Sequence, residues 1–129
     1  MSSIFSKIVN GEIPCYKVAE EDNFLAFLDV NPLVKGHILV IPKKEVDYIF
    51  DVEDELLAEL MVFAKKVALK MKKVLPCERI GVTVIGLEVP HAHIHLIPIN
   101  NIDDMNFAKA KLNMESAEMS EIANSIKNA

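Results

Sequence analysis

The 129 residues carry 14 Lys and Arg against 19 Asp and Glu, a formal charge of −5, and 51% of them are hydrophobic. With no basic run beyond Lys43-Lys44, Lys65-Lys66 and Lys72-Lys73, this balance excludes DNA or another long polyanion as partner, because such a ligand demands many cationic contacts. The length fits one domain, residues 1–129, able to bury its own core, and the high apolar share leaves surface that a second subunit could cover.

Ser3 to Val9 reads as a short helical entry segment. Met1–Pro14 holds no apolar run of secretion-signal length, and no stretch approaches the roughly 20 apolar residues that span a bilayer, so a cytoplasmic protein is expected. Gly11 and Pro14 break the entry segment before a strand over Cys15–Glu20. Glu21-Asp22-Asn23 is turn chemistry leading into a second strand over Phe24–Asp29, which makes a hairpin. Asn31-Pro32 opens a loop, and Gly36–Pro42 follows as a strand with a β-branched, apolar centre. Cys15 and Cys77 have no metal-type spacing and are expected as free thiols in a reducing compartment.

Asp51 to Leu75 is the clearest helix. Asp51 is placed to cap it, Glu53, Asp54 and Glu55 suit its positive end, and Lys70, Lys72 and Lys73 suit the other. Leu56, Leu57, Leu60, Phe63, Ala64, Val67, Ala68, Met71 and Leu75 form an apolar stripe at helical spacing, expected as core or subunit contact, and Pro76 stops the helix. Arg79–Gly86 reads as a strand, Leu87–Pro90 as a tight turn and His91–Ile97 as a strand closed by Pro98. Ser116–Lys127, with Met119, Ile122, Ala123 and Ile126 on one side, closes the series as an amphipathic helix. This order predicts an α+β fold with a mainly antiparallel sheet, one long helix and a C-terminal helix.

Three of the four histidines lie at alternate positions, His91, His93 and His95. Side chains two apart on a strand share a face, so the three imidazoles line one surface while Ala92, Ile94 and Leu96 point toward the long helix. The fourth, His37, sits in another apolar strand that could pair near by. Three readings compete. A structural role suits one buried histidine better than three in a row. A metal site is the second reading, but three same-face imidazoles on a straight strand converge poorly on one ion, and no Cys pair or carboxylate cluster flanks them. The third, favoured on the motif, is phosphoryl or nucleotidyl transfer by a neutral imidazole whose tautomer and charge its neighbours control.

His-Ala-His-Ile-His-Leu-Ile resembles the His-φ-His-φ-His-φ-φ signature of the histidine triad (HIT) superfamily, φ being apolar. Ile4–Val9, Gly11-Glu12-Ile13-Pro14, Phe27–Pro32 and Gly36–Lys44 are similar to family segments in family order, so the resemblance covers most of the chain. It is nearer the phosphoramidase-type and prokaryotic branch than the galactose-1-phosphate uridylyltransferase branch. The resemblance implies a nucleotide hydrolase or transferase, of phosphoramidase or dinucleoside polyphosphate hydrolase type, that cleaves an AMP-X or GMP-X bond at the α-phosphate. His93 would be the nucleophile that forms a nucleotidyl-histidine, His95 would stabilise charge at the phosphate, and His91 and His37 would orient the nucleophile and hold its tautomer. Asp29 would accept hydrogen bonds from both ribose hydroxyls, where the residues alone say only that an acid precedes Asn31-Pro32. Phe5, Ile8, Phe27 and Leu28, with Ile4, Ile13 and Val30 near by, would form the slot for a purine base. Gly86 and the Val89 amide would contact phosphate. No cofactor or membrane is implied, and a homodimer through the long helix and a sheet edge is.

The chain also departs from the family pattern. Ser3 and Ser6 stand where many prokaryotic relatives have a zinc-binding Cys-x-x-Cys, so no structural zinc is expected. Gly86-Leu87-Glu88-Val89-Pro90 replaces a Gly-rich, Gln- and hydroxyl-bearing turn that contacts phosphate, and only Thr83 offers a polar side chain in its place. Glu88 falls where the hydroxyl is expected, and a carboxylate beside a phosphate is repulsive. It either points away or meets a cationic leaving group, which leaves the leaving-group preference open. The alternative to an enzyme is a purine-nucleotide-binding regulatory or interaction protein with little turnover.

Overall fold

The computed structural model describes residues 2–129. In chain order the elements are helix α1 (Ile4–Val9), strands β1 (Lys17–Glu20), β2 (Phe24–Leu28) and β3 (Ile38–Pro42), helix α2 (Asp54–Val74), strands β4 (Arg79–Thr83) and β5 (Ile94–Ile99), and helix α3 (Ser116–Lys127). The strands form one antiparallel sheet in the order β1-β2-β3-β5-β4. This is the α+β arrangement expected from the sequence.

Alternation along β2 divides the sheet into two faces. Phe24, Ala26 and Leu28 join Ile38, Val40, Ile94 and Leu96 beneath Leu60, Phe63, Ala64, Val67 and Met71 of α2 and Met119, Ala123 and Ile126 of α3. Leu25 and Phe27 face the other way, with Leu39, Ile41 and Phe5 of α1. Both faces of β2 and β3 are thus covered, which is why these strands read as continuous apolar runs. Leu28 is corrected by this division: it lies under α2, not with Phe5 and Phe27, because adjacent strand residues point to opposite faces.

Several boundaries differ from the sequence reading. Asp51 does not cap α2. It ends a separate 3-10 turn over Ile49–Asp51, and the extended, buried Val52 separates that turn from the helix. Glu53 occupies the cap position of α2 without a side-chain cap bond. The β1 and β4 strands are shorter than expected, starting at Lys17 and ending at Thr83.

The strand β5 begins at Ile94, not His91, and runs through Pro98 to Ile99. Before it, the Ala92 amide donates to the Val46 carbonyl (2.6 Å) and the His91 amide to Val89 (2.8 Å), so these residues pair with loops instead of a strand. Pro98 is tolerated because the β3 partner ladder reaches only from Ile94 to Leu96. His95 lies between Ile94 and Leu96 and opposite Leu39, which puts it on the α1 face, away from the α2 core.

Candidate active site

His37 immediately precedes β3 and follows Gly36, whose φ of +89° belongs to the left-handed region that glycine enters without strain. The turn brings the His37 carbonyl to accept from the Asp29 amide (2.9 Å), so these two residues are held side by side where β2 and β3 meet the loop. His91, His93 and His95 arrive on the same face, and all four histidines are buried.

Their hydrogen bonds assign each proton. The Leu33 amide donates to His37 Nδ1 (3.1 Å), so the proton of this neutral ring is on Nε2. His37 Nε2–H then donates to His95 Nδ1 (2.9 Å), which places the His95 proton on its own Nε2. His93 Nδ1–H donates to the His91 carbonyl (2.7 Å), leaving the lone pair on His93 Nε2. His91 Nε2–H donates to the Pro42 carbonyl (2.8 Å), and its Nδ1 accepts from the Ser3 hydroxyl (2.9 Å). No buried side-chain nitrogen or oxygen among the described residues lacks a partner. The remaining Nε2 atoms of His93 and His95 therefore reach solvent, one as a lone pair and one as an N–H donor, on rings whose centroids are 4.9 Å apart.

Burial dominates the electrostatics. It holds His37 down at about 3 and His95 at about 4, with repulsion from neighbouring cationic groups as the lesser cause. His91 is lowered for the same first reason. Asp29 is raised, again by burial, and the negative charge of Glu88 adds to the rise. At neutral pH His37, His91 and His95 are therefore neutral imidazoles. Asp29 Oδ1 accepts from the Asn31 amide (2.8 Å), while Oδ2 lies 3.6 Å from His37 Nε2, too far for a hydrogen bond. That oxygen retains capacity for a ligand.

Phe5 and Phe27 meet edge to face at 5.5 Å, and Phe5 is 5.0 Å from the His93 ring. Ile8 and Val89 pack against the same group, so Phe5, Ile8 and Phe27 share one apolar cluster, without Leu28, and Phe5 carries it up to His93. Gly86, at φ +76°, has open space where a Cβ would be, and Glu88 is exposed with no hydrogen-bond partner among the described residues. One expected relation changes. His37 touches His95, not the proposed nucleophile, so it governs the tautomer of the donor ring.

Asp29, His37 and His95 also each present a metal-ligating atom within 4.8 Å of the others. The lone pairs that would bind an ion are engaged, since His37 Nε2 carries a proton and His95 Nδ1 accepts it. Binding there would cost both the Leu33 bond and the bond between the rings.

Two residues of the site escaped sequence reasoning. Phe107 lies edge-on to His95 at 4.9 Å and to His37 at 6.1 Å, and Lys111 Nζ is 5.8 Å from the Phe107 ring. They belong to the irregular segment between β5 and α3, which the Leu112 amide ties to the Pro32 carbonyl (2.8 Å). A lone aromatic in a polar stretch was the only local signal.

A HIT domain model matches residues 10–102, more than half of the chain. An uncharacterised HIT-like protein of Borreliella burgdorferi is 37% identical over 93% of this chain and 92% of its own. An adenosine 5'-monophosphoramidase of Schizosaccharomyces pombe is 42% identical over 78% of this chain and 77% of its own. Among solved structures, a Hit-like protein from Bartonella henselae superposes with a TM-score of 0.86 at 30% identity, covering 98% of this chain and 95% of that one. A zinc-bound histidine triad protein from Mycobacterium smegmatis gives 0.82 at 26%, covering 99% and 92%.

The chain belongs to the HIT family.

Within the HIT domain the histidines and Asp29 fall inside the matched residues, whereas Phe5, Ser3 and Ser6 precede them and Phe107 and Lys111 follow. A zinc ion does not suit the Ser3 and Ser6 positions of this HIT protein. Ser3 and Ser6 supply neutral hydroxyls, which are not among the usual zinc ligands, and the Glu45 carboxylate and His91 Nδ1 that could bind the ion are already engaged by them. Among the described residues, no helix of the molecule is long and apolar enough to cross a membrane.

Proposed function

We propose that this HIT protein hydrolyses or transfers the nucleotidyl group of a purine nucleotide AMP-X or GMP-X, cleaving at the α-phosphate through a nucleotidyl-histidine. The observation that carries the reading is the pair of opposite tautomers: a lone pair on His93 Nε2 beside an N–H on His95 Nε2. In the first step the His93 Nε2 pair attacks the α-phosphorus and the P–X bond breaks. X leaves with its bonding pair and takes a proton from water, while His95 Nε2–H donates to a phosphate oxygen as charge develops there. The new imidazolium keeps its Nδ1–H on the His91 carbonyl. Water then attacks phosphorus and yields a proton to the hydroxide left by the first step, the N–P bonding pair returns to His93 Nε2, and AMP or GMP leaves with His93 neutral again.

The test is a panel of AMP and GMP conjugates carrying amine, acyl phosphate and nucleoside phosphate leaving groups. Turnover of at least one, with a nucleotidylated protein seen by intact mass after a denaturing quench at alkaline pH, where the N–P bond survives, is the expected result. Tight binding of AMP with no turnover of any conjugate would instead make this a nucleotide-binding regulatory protein.

Asp29 is assigned to the ribose hydroxyls, on the free capacity of its Oδ2. Removing a hydrogen bond to a charged group costs about 1.5–3 kcal/mol, so Asp29→Asn should raise KM for the best conjugate roughly 10- to 100-fold. A 2',3'-dideoxy conjugate should be handled alike by parent and variant. A difference that persists with the dideoxy compound would reject the ribose role.

The protein is assigned a homodimer, on the apolar side chains left exposed along one outer line of α2 and on the edge strand β4. Met61, Val62 and Leu69 occupy the first and Val82 the second. An uncovered sheet edge beside an apolar stripe is a natural pairing surface. Light scattering should give twice the chain mass, and Leu69→Glu should give one chain mass with retained helical circular dichroism. A monomeric parent protein would refute this assembly.

A further inference from the structure

On the far side of the histidine array lies a closed polar cluster that none of the chemical steps uses. Glu45, in the loop after β3, places Oε1 where it accepts from the Ser3 amide (2.6 Å) and from the Ser6 hydroxyl (2.7 Å). Ser3 Oγ accepts from the Ser6 amide (3.0 Å) as the cap of α1, so its own proton is available for His91 Nδ1 at 2.9 Å. The His91 ring then donates from Nε2 to the Pro42 carbonyl, and its backbone carbonyl receives His93 Nδ1–H. Ser3, Ser6 and His91 are buried. The cluster joins three segments remote in sequence, since Ser3 is 42 positions from Glu45 and 88 from His91.

Each link has one allowed direction. A carbonyl cannot donate, so His91 must carry its proton on Nε2, and its Nδ1 must then be an acceptor. Among the described residues the hydroxyl best placed to supply it is that of Ser3, at 2.9 Å, because the Ser6 hydroxyl is committed to Glu45 at 2.7 Å and stands 3.4 Å from His91. Glu45 in turn holds both serines, and its carboxyl is kept well down, at about 2, by the bonds it accepts from Ser3 and Ser6. The carboxylate is therefore ionised whenever the histidines are neutral. A slip at Ser3 would free the His91 ring, tilt the 91–93 backbone and move the carbonyl on which the His93 tautomer depends.

We propose that Glu45, Ser3 and Ser6 form a metal-free clasp that fixes the His91 ring and, through the His91 carbonyl, the orientation and tautomer of His93. Glu45 and Ser3 are positioning residues, and their contribution to turnover rests on the nucleotidyl-histidine reading above. The clasp also latches α1, with Phe5 and Ile8, onto the same backbone, so the apolar wall and the nucleophile share one anchor.

The experiment pairs a structural readout with a kinetic one. Long-range proton–nitrogen NMR on the parent protein should show His91 as the Nε2–H and His93 as the Nδ1–H tautomer. In Ser3→Ala and Glu45→Ala the His93 signals should move to a mixture of tautomers, while Ser3→Thr, which keeps the hydroxyl, should restore the parental pattern. Misplacing reacting atoms by about 1 Å can cost on the order of 100-fold in rate, so kcat on the best AMP conjugate should fall roughly 10- to 100-fold in the two alanine variants. Ser3→Thr should recover kcat. Glu45→Gln keeps an acceptor oxygen and should retain most of the rate.

Parental tautomers in both alanine variants would overturn the proposal, whatever their activity. So would a loss of kcat that Ser3→Thr fails to recover while the variant stays folded. Zinc added in stoichiometric amount should leave the His91 signals in place, and a shift would reject the metal-free clasp. If the parent protein turned over no conjugate, the enzyme reading would fail, yet the NMR result would still decide the clasp.

Discussion

His93→Ala should lower turnover of any AMP or GMP conjugate by roughly 10,000-fold or more, the scale seen when a covalent nucleophile is removed. The expectation is this large because His93 alone among the four rings presents an unprotonated nitrogen to solvent. Its neighbours cannot substitute. His91 Nδ1 is taken by Ser3, His37 Nδ1 by the Leu33 amide, and His95 Nδ1 by His37. The variant should remain folded, since the ring makes a single hydrogen bond, and should still bind AMP by calorimetry through Asp29 and the Phe5–Phe27 wall. The parent protein quenched during turnover with denaturant at alkaline pH should carry one nucleotidyl group, absent from the variant. Retained turnover in His93→Ala would sink the nucleophile assignment, and a quenched adduct on another histidine would move it.

The second large effect is acid destabilisation. Unfolded histidine takes up a proton near 6.5, but folded His37 resists to about 3 and His95 to about 4. Below pH 6.5 the unfolded chain therefore binds more protons than the folded one, and stability must fall as pH falls. The loss develops from 6.5 downward, and the contribution is fully present above that value. From pH 7 to 4.5 it should total on the order of 5 kcal/mol. Asp29 acts in the opposite sense, because its raised carboxyl takes up a proton in the fold first, but only nearer the carboxylate range. Urea unfolding at intervals between pH 7.5 and 4.5 would measure the slope, and replacing His37 by Asn should flatten it. A stability that stayed level across this window would contradict the proton resistance of His37 and His95.

The two effects share a cause. Rings buried enough to resist protonation are also rings whose lone pairs and N–H groups stay in fixed places at neutral pH. The same burial makes any broken link costly, because a stranded polar group would have no water to turn to. Phe107 contributes here by covering the outer edge of His95 and His37. Lys111 follows it to the rim of the site, opposite in charge to Glu88. Glu88 raises and Lys111 lowers the Asp29 carboxyl pKa, so charges of both signs act on this part of the site and the panel of conjugates should include both amines and phosphates.

Much of this molecule was legible as local pattern. Period two over His91–His95 put the imidazoles on one face and Ile94 and Leu96 on the other, and the 3.6 period of Leu60, Phe63, Ala64, Val67 and Met71 marked the covering helix. Alternation could also have separated Leu28 from Phe27, since neighbours on a strand cannot share a face. Such patterns depend on chain geometry within a few residues, so they survive without knowledge of the fold. The strand's true start at Ile94 did not, because it turns on where Val46 and Pro42 lie.

Only the tertiary structure decided the chemistry's finer state. A histidine's identity says nothing of which nitrogen holds the proton; that follows from partners such as Leu33, Pro42 and Ser3, brought in from distant segments. Sequence spacing carries no mark of the 58 residues that separate His37 from His95, or of Glu45 reaching Ser3. The sequence by itself determined which rings would gather. Long-range hydrogen bonding, which has no local period, decided which of them offers a lone pair and which a proton.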